Sequence, residues 1–225
     1  MSSPITAELC DITGFTLLDF PEVPAAIFWF AGCNLRCGYC YNPHIVHGRA
    51  TIDYERAMAF LKKRIGKLEG VVFSGGEPTL HPSLYLYAQS AAQMGYRIKL
   101  DTNGTRPAAI APLLEAGLLD YVALDFKAPL LKWSQVTGQD AGGFYALLES
   151  LSLLRHYGVP HEVRTTLHPD LLSVADLEAI LTVLDRSGHK GTLFVQHYRH
   201  AKTLSALPDA PRLDLRLLGD RVVER

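Results

Sequence analysis

The segment Gly32–Tyr41 reads GCNLRCGYCY and contains three of the four cysteines of the chain. These three follow the spacing C-x3-C-x2-C, at Cys33, Cys37 and Cys40. A structural zinc site closes its shell with four protein ligands, whereas an iron–sulfur cubane takes one cysteine per iron. The triplet therefore predicts either a zinc loop completed by His44 or His47, or a cubane with one iron open to a small molecule.

A wholly apolar run, Ala25–Phe30 (AAIFWF), comes just before the triplet. Such a run is typical of a strand that is buried on both faces in a parallel sheet. The cysteine loop would then leave the carboxyl end of this strand, which is where α/β folds place their chemistry.

Strands and helices alternate along the rest of the chain. Further strands are predicted at 71–73, 97–100, 121–125, 161–167 and 192–196, and helices at 52–67, 82–93, 108–116, 144–157 and 174–186. This alternation is typical of a parallel sheet with crossover connections, and it predicts an α/β fold. Periodicity alone does not choose between an open sheet and an incomplete barrel.

The composition predicts a globular protein with one main domain. Hydrophobic residues make up 48% of the chain and charged residues 20%, which suffices for a substantial core. We expect a lead-in with a short β segment over 1–24, the α/β domain over 25–200, and a tail over 201–225 that packs on this domain.

The charge balance and the cysteine pattern exclude several classes of protein. A net charge of −1 gives no reason to expect nucleic acid or an acidic membrane as a partner. No apolar run is long enough to span a bilayer, and the N-terminus does not have the pattern of a secretory signal. Clustered cysteines do not indicate a disulfide framework, and thiolate ligands predict a reducing cytoplasm.

The segment Ser74–Pro78 (SGGEP) follows the second strand. Adjacent glycines at Gly75 and Gly76 allow a ligand to approach the backbone closely. Glu77 and the strand-edge carbonyls can accept hydrogen bonds from an ammonium group. The structural alternative is a tight turn in which Thr79 caps the next helix.

Charged and polar residues also follow the later predicted strands. Asp101 and Asn103 follow the third strand, and Asp125 and Lys127 stand at the end of the fourth. At successive strand ends they would face one pocket. The alternative is that Asp101 and Asn103 cap the next turn and that Lys127 is a surface cation.

Two further candidates belong to the last two strands. Strand alternation places Arg164 on the same face as Glu162, so it would either contact a ligand or pair with a buried acid. His197 follows the last predicted strand, and a single histidine in such a place more often has a structural role.

The cysteine triplet, with Tyr39 before its last member, resembles that of the radical S-adenosylmethionine (SAM) superfamily. SGGEP is similar to the GGEP element of that superfamily, and DTNG (101–104) and D-x-K (125–127) are similar to elements of glycyl-radical-enzyme activases. The stretch Ile12–Pro21 resembles the activating proteins of anaerobic ribonucleoside-triphosphate reductase, which often have a histidine where Tyr41 stands. The resemblance runs from Ile12 to Arg199, without the ferredoxin-like insert of some other activases.

The resemblance implies a partial (β/α)6 barrel with mostly parallel strands, whose lateral opening admits a large substrate. It implies that Cys33, Cys37 and Cys40 hold a [4Fe–4S] cluster whose open iron binds SAM. The residues it places around SAM and the substrate loop are Gly75, Gly76, Glu77, Pro78, Asp101, Asn103, Asp125, Lys127, Arg164 and His197. Among these, the resemblance implies that Glu77 meets the SAM amino group and Lys127 its carboxylate region. From their strand positions, Arg164 would meet the ribose or carboxylate of SAM and His197 its adenine.

The implied activity is reductive cleavage of SAM, followed by abstraction of hydrogen from a glycine of a partner enzyme. This chemistry needs no side-chain general base, so we nominate no catalytic residue. A reduced flavodoxin or ferredoxin would supply the electron, and anaerobic ribonucleotide reductase would receive the radical. Two alternatives are a radical SAM enzyme acting on a small molecule, similar to carboxy-deazaguanine synthase, and a zinc-binding interaction module.

Overall fold

A computed structural model describes residues 7–225, so residues 1–6 of the predicted lead-in lie outside the described range. The strands are β1 (Leu9–Thr16), β2 (Ala25–Phe30), β3 (Gly70–Gly75), β4 (Arg97–Thr102), β5 (Tyr121–Asp125), β6 (His161–Leu167), β7 (Leu193–His197) and β8 (Val222–Glu224). The helices are α1 (Pro43–Val46), α2 (Tyr54–Lys62), α3 (Leu84–Gln93), α4 (Pro107–Glu115), α5 (Leu130–Thr137), α6 (Ala141–His156) and α7 (Val174–Arg186). Short 3₁₀ segments lie at Pro78–Leu80 and Arg216–Arg221.

The strands are ordered in the sheet as they are in the chain, from β1 to β8. β1 pairs antiparallel with β2, whereas the pairs β2–β3, β3–β4, β6–β7 and β7–β8 are parallel. The predicted α/β fold with mostly parallel strands is therefore confirmed. The apolar run of β2 is buried at every position except Trp29, as a strand covered on both faces requires.

The chain divides into two compact units. The first unit contains residues up to Asn34, His44–Thr102 and Ala108–Val122, and the second contains Leu35–Pro43, Asn103–Pro107 and Ala123–Arg225. Each has its own aromatic core: in the first unit these rings are Phe28, Phe30, Phe73 and Tyr87. In the second unit they are Phe126, Trp133 and Phe144.

Several element boundaries differ from the sequence-based expectation. α2 ends at Lys62 rather than at residue 67, because the chain turns there and Gly66 adopts a positive φ of 75°. Asp53 caps its N-terminus, since the Asp53 side chain accepts a hydrogen bond from the Arg56 amide. β4 continues to Thr102, so Asp101 lies within the strand and not after it.

Two elements of the second unit were not predicted. The first is α5, which lies between β5 and α6. The second is β8 in the C-terminal tail, which pairs with β7 from Leu193↔Val222 to Val195↔Glu224. No helix within residues 7–225 has the length and apolar character needed to cross a membrane.

Candidate functional site

The cysteine loop follows β2, and its members differ in exposure. Cys37 is buried, whereas Cys33 and Cys40 are half-buried. All four cysteines of the chain lie in the described range, and none of them forms a disulfide. In the second unit the Arg36 amide donates to the Thr137 carbonyl at 2.8 Å, which fixes the middle of the loop to the end of α5.

A centre for a single metal ion is not assembled by this loop. Within the described part of the chain, no three His, Cys, Asp or Glu side chains are grouped as ligands of one ion. The zinc site that His44 or His47 would complete stays an alternative. A cubane makes a different demand, because each of its cysteines binds a different iron.

The turn at Gly75 and Gly76 packs directly on the backbone that precedes Cys33. A Cβ atom on Gly76 would lie 1.8 Å from the Gly32 carbonyl oxygen, and one on Gly75 would lie 2.4 Å from the Phe30 oxygen. The Glu77 amide also donates to the Gly32 oxygen at 2.9 Å. Only glycine fits at these two positions, so the turn fixes the start of the cysteine loop.

The Glu77 side chain is 1% exposed and holds the turn from within. Its Oε1 accepts hydrogen bonds from the Thr79 amide at 3.1 Å, the Thr79 hydroxyl at 2.6 Å and the Thr102 hydroxyl at 2.8 Å. Glu77, and not Thr79, is thus the residue that caps the 3₁₀ segment. Its predicted contact with the SAM amino group stays a prediction, beside this structural role.

Asp101 is neutralised by a buried lysine that the sequence analysis did not single out. Lys99 is 2% exposed and its Nζ lies 2.7 Å from Asp101 Oδ1, while the Ser74 hydroxyl donates to Oδ2 at 3.1 Å. The signal was present in the sequence, because residues two apart on a strand share a face.

Asn103, in the second unit, forms the turn that the structural alternative described. Its Oδ1 accepts hydrogen bonds from the Thr105 amide at 3.0 Å and the Thr105 hydroxyl at 2.6 Å. A side chain that bonds its own backbone two residues on is a common turn-forming device. Its place in a substrate-loop site stays a prediction.

Asp125, Lys127 and Arg164 form one charged group in the second unit. Lys127 Nζ lies 2.9 Å from Asp125 Oδ2, and Arg164 Nε contacts Asp125 Oδ1. Lys127 also lies over the ring of Tyr39, with Nζ 5.9 Å from the ring centroid. Asp125 and Lys127 thus pair with each other, and Arg164 joins them through the half-buried Asp125. Their predicted place around SAM stays a prediction.

The charges of this group reach Cys37. Burial alone would raise the pKa of Asp125, but the charges of Arg164 and Lys127 outweigh burial and hold this pKa below its usual value. Burial would lower the pKa of Lys127, but Asp125 and Cys37 raise it, so this ammonium stays charged. Burial raises the pKa of the Cys37 thiol, and Lys127 opposes that rise. A fixed positive charge therefore stands beside a cysteine that must lose its proton to bind metal.

His197 is the last residue of β7 and is held by the tail. It is buried, and its Nε2 lies 2.7 Å from Glu224 Oε2 on β8. This pairing is the structural role that a single histidine more often has, so its contact with adenine stays a prediction. The sequence analysis missed Glu224 because β8 is only three residues long.

Comparison with known proteins identifies the family of this architecture. The profile of the radical SAM superfamily matches residues 27–184. A protein of Methanocaldococcus jannaschii, provisionally named a glycyl-radical enzyme activating enzyme, is 30% identical over 222 residues, which covers 95% of this chain and 90% of that protein. The pyruvate formate-lyase-activating enzyme of Clostridium pasteurianum is 28% identical, over 74% of this chain and 71% of that enzyme.

Other matches are less complete or concern the fold. A 7-carboxy-7-deazaguanine synthase of Neisseria meningitidis is 31% identical over 47% of this chain and 45% of that enzyme. Streptococcus suis SuiB bound to S-adenosylmethionine has the same fold, with a TM-score of 0.66 at 13% identity. That similarity covers 88% of this chain and 51% of SuiB, so this chain spans about half of SuiB.

Proposed function

The chain belongs to the radical SAM superfamily, and from this premise we propose that it activates a glycyl-radical enzyme. Proteins of this superfamily use a [4Fe–4S] cluster and SAM. The observation that carries the proposal is the similarity to the M. jannaschii protein over 95% of the chain. The pairing of Asp125 with Lys127 beside Cys37 supports it, because the D-x-K element is similar to that of activases.

The residues present fit the cluster. Cys33, Cys37 and Cys40 are thiols outside any disulfide, and the Gly75–Gly76 turn sets the backbone from which Cys33 extends. We assign these three cysteines as its ligands. When bound, the cluster and SAM supply a 5′-deoxyadenosyl radical by one-electron cleavage of the sulfonium.

The side chains around the loop would bind and orient SAM. Lys127 carries a permanent positive charge that suits the SAM carboxylate, and Asp125 and Arg164 fix its position. The carbonyls of the Gly75–Glu77 turn and the Glu77 carboxylate suit the SAM ammonium group. Asp101 and Asn103 lie at the end of β4, and we assign them to the entry of the substrate loop.

The partner that we propose is anaerobic ribonucleotide reductase. The support for this finer assignment is the stretch Ile12–Pro21, the single cysteine triplet, and DTNG with D-x-K. A reduced flavodoxin or ferredoxin would supply the electron. The reducing cytoplasm suits thiolate ligands, so we place the protein there.

The test is to mix the reconstituted and reduced protein with SAM and the candidate reductase without oxygen. Electron paramagnetic resonance should then record a glycyl-radical doublet on the reductase, and the doublet should be absent with Cys37→Ala or without SAM. SAM cleavage without a radical on any glycyl-radical enzyme of the same organism would overturn the proposal. That outcome would favour the alternative of a small-molecule substrate, which the partial match to a deazaguanine synthase supports.

A further inference from the structure

Tyr41 connects the cysteine loop to the protein surface. It follows Cys40 directly in the chain and is 40% exposed. Its ring stacks on the buried ring of Tyr198, with centroids 5.8 Å apart and an angle of 15° between the planes. The ring centroid of His168 in turn lies 4.6 Å from that of Tyr198. The exposed ring is therefore held in one orientation by a second aromatic layer.

The segment after β7 is tied to this loop at three backbone positions. The Arg199 amide donates to the Tyr41 hydroxyl at 2.7 Å. Further along, the Leu204 amide donates to the Cys40 carbonyl at 3.1 Å, and the Ser205 amide to the Gly38 carbonyl at 2.9 Å. The backbone of residues 199–205 therefore lies against the loop.

These two segments carry positive charge without acids. Residues 35–43 and 198–208 contain Arg36, Arg199 and Lys202, all exposed, and no Asp or Glu. Within residues 7–225, no acidic side chain forms an ion pair with Arg199 or Lys202. The whole chain has a net charge of −1, so this positive charge is local.

An apolar centre with a charged rim is the usual anatomy of a protein-binding surface. We infer that Tyr41, Arg199 and Lys202, which we call the Tyr41 face, form the docking surface for an acidic one-electron carrier protein. The inference rests on the proposed function, because it concerns delivery of the electron to the same cluster. Tyr41 follows Cys40 directly in the chain, so a carrier bound at the Tyr41 face would lie beside the cysteine loop.

Electron carriers fit this surface better than permanent partners do. Their encounters are brief and bury little area, so rim charges determine the rate of association more than the final affinity. In the step itself the carrier loses one electron and the cluster gains one, and no bond is made or broken. The carrier must then leave, which a small basic rim around one aromatic ring permits.

The test measures cluster reduction in the reconstituted protein, without SAM and without a glycyl-radical enzyme. Flavodoxin hydroquinone is mixed rapidly with the protein, and bleaching of the visible iron–sulfur absorption is followed at low and high salt. The variant Arg199→Glu/Lys202→Glu should slow bleaching by about tenfold or more at low salt, since steering by charge changes association rates by that order. The difference should shrink at high salt, where charges are screened.

Two controls separate docking from damage. The control variant Arg186→Glu/Lys190→Glu makes the same charge change at two exposed residues. These residues precede β7, whereas Arg199 and Lys202 follow β7. The cluster of this control variant should bleach at the wild-type rate. Photoreduced deazariboflavin, a small neutral reductant, should reduce all variants at one rate. The milder Arg199→Gln/Lys202→Gln should show an intermediate effect with flavodoxin only.

The inference is overturned if the charge-reversed variant bleaches as fast as the wild type at low salt. It is also overturned if deazariboflavin reduces the charge-reversed and the neutral variants more slowly than the wild type, to the same extent as flavodoxin does. Failure of the proposed function would look different. In that case flavodoxin would still bleach the cluster through the Tyr41 face, but no glycyl radical would form on a partner.

Discussion

At the scale of single residues, Gly76 is the position where one added methyl group has the clearest consequence. A Cβ there would lie 1.8 Å from the Gly32 carbonyl oxygen and 2.5 Å from its carbon, and backbone atoms cannot rotate away as a side chain can. We expect Gly76→Ala to cost about 2–3 kcal/mol and to lower the melting temperature by several degrees, as overpacking does. Thermal unfolding followed by circular dichroism measures this.

Gly14→Ala is the matched control for that change. Gly14 lies on β1, and a Cβ there would meet its nearest atom, in Arg64, at 3.6 Å, which is ordinary contact. Its melting temperature should stay close to that of the wild type. If Gly76→Ala were equally harmless, the close fit of the turn on the cysteine loop would be wrong.

The cysteines make a second prediction at this scale. Replacing Cys33, Cys37 or Cys40 by Ala removes one of three proposed ligands, so each variant should lose the cluster and with it SAM cleavage. Iron content and visible absorption after anaerobic reconstitution measure the loss. Cys10→Ala is the control, because the Cys10 thiol lies on β1 and donates to the Trp29 carbonyl at 3.1 Å. Loss of the cluster in Cys10→Ala, with retention in a triplet variant, would refute the ligand assignment.

The residues proposed to hold SAM make a third prediction. Glu77→Gln keeps an oxygen that Thr79 and Thr102 can bond, but it removes the negative charge, and Lys127→Met removes the positive one. Each change should weaken SAM binding about tenfold, which is about 1.4 kcal/mol and in the range of a charged hydrogen bond. Equilibrium binding of SAM to the reconstituted protein tests this, with cluster absorption as the check on integrity. Unchanged affinity in both variants would remove these residues from the site.

At the scale of elements, the connection from α7 to β7 contains a buried histidine that makes stability depend on pH. His189 is 7% exposed, and burial, followed by the charges of His161, Arg221 and Arg155, lowers its pKa to about 4. The unfolded chain binds this proton near the ordinary value of 6.5 and the folded chain does not. His189 therefore contributes stability that is fully present above pH 6.5 and falls as the pH drops toward 4.

His189→Gln should remove that dependence. We expect the wild type to lose on the order of 2 kcal/mol more than the variant as the pH falls through this range. Melting temperatures at a series of pH values measure the difference. His156→Gln changes an exposed histidine at the end of α6 and should keep the wild-type profile. Parallel profiles for the wild type and His189→Gln would contradict the prediction.

The sequence predicted elements well where a single physical signal dominated. The apolar run of β2 and the strand and helix at His161–Leu167 and Val174–Arg186 have the predicted bounds. It failed at the end of β4, because Asp101 resembles a turn residue, whereas in the structure it lies within the strand and pairs with Lys99. α5 was missed although its buried residues include Trp133 and Val136; it is only eight residues long and is followed closely by α6.

At the scale of the whole molecule, the sequence carries local patterns for the candidate site but none for the contacts of the tail. The cysteine spacing and SGGEP are local patterns, and sequence alone located them. The contacts of β8 and of the residue after it join residues far apart in the chain: Glu224 to His197, and Arg225 to Glu162 at 2.8 Å. No local sequence pattern predicts such pairs, and the three residues of β8 are too few to show the alternation by which a strand is recognised.

The tail makes the last prediction. Removing residues 216–225 takes away β8 and Arg225, which is an ion-pair partner of Glu162. Glu162 is 4% exposed, and it would retain Arg164, whose Nη1 lies 3.9 Å from Glu162 Oε1. A buried acid that loses its partner costs stability, here roughly 2 kcal/mol because Arg225 is partly in solvent. Glu162→Gln should therefore destabilise the shortened chain less than the full chain, since it removes the charge that Arg225 no longer balances. Melting temperatures of the four proteins in this cycle give the coupling, and equal effects of Glu162→Gln in both chains would mean that the Arg225–Glu162 pair contributes nothing to stability.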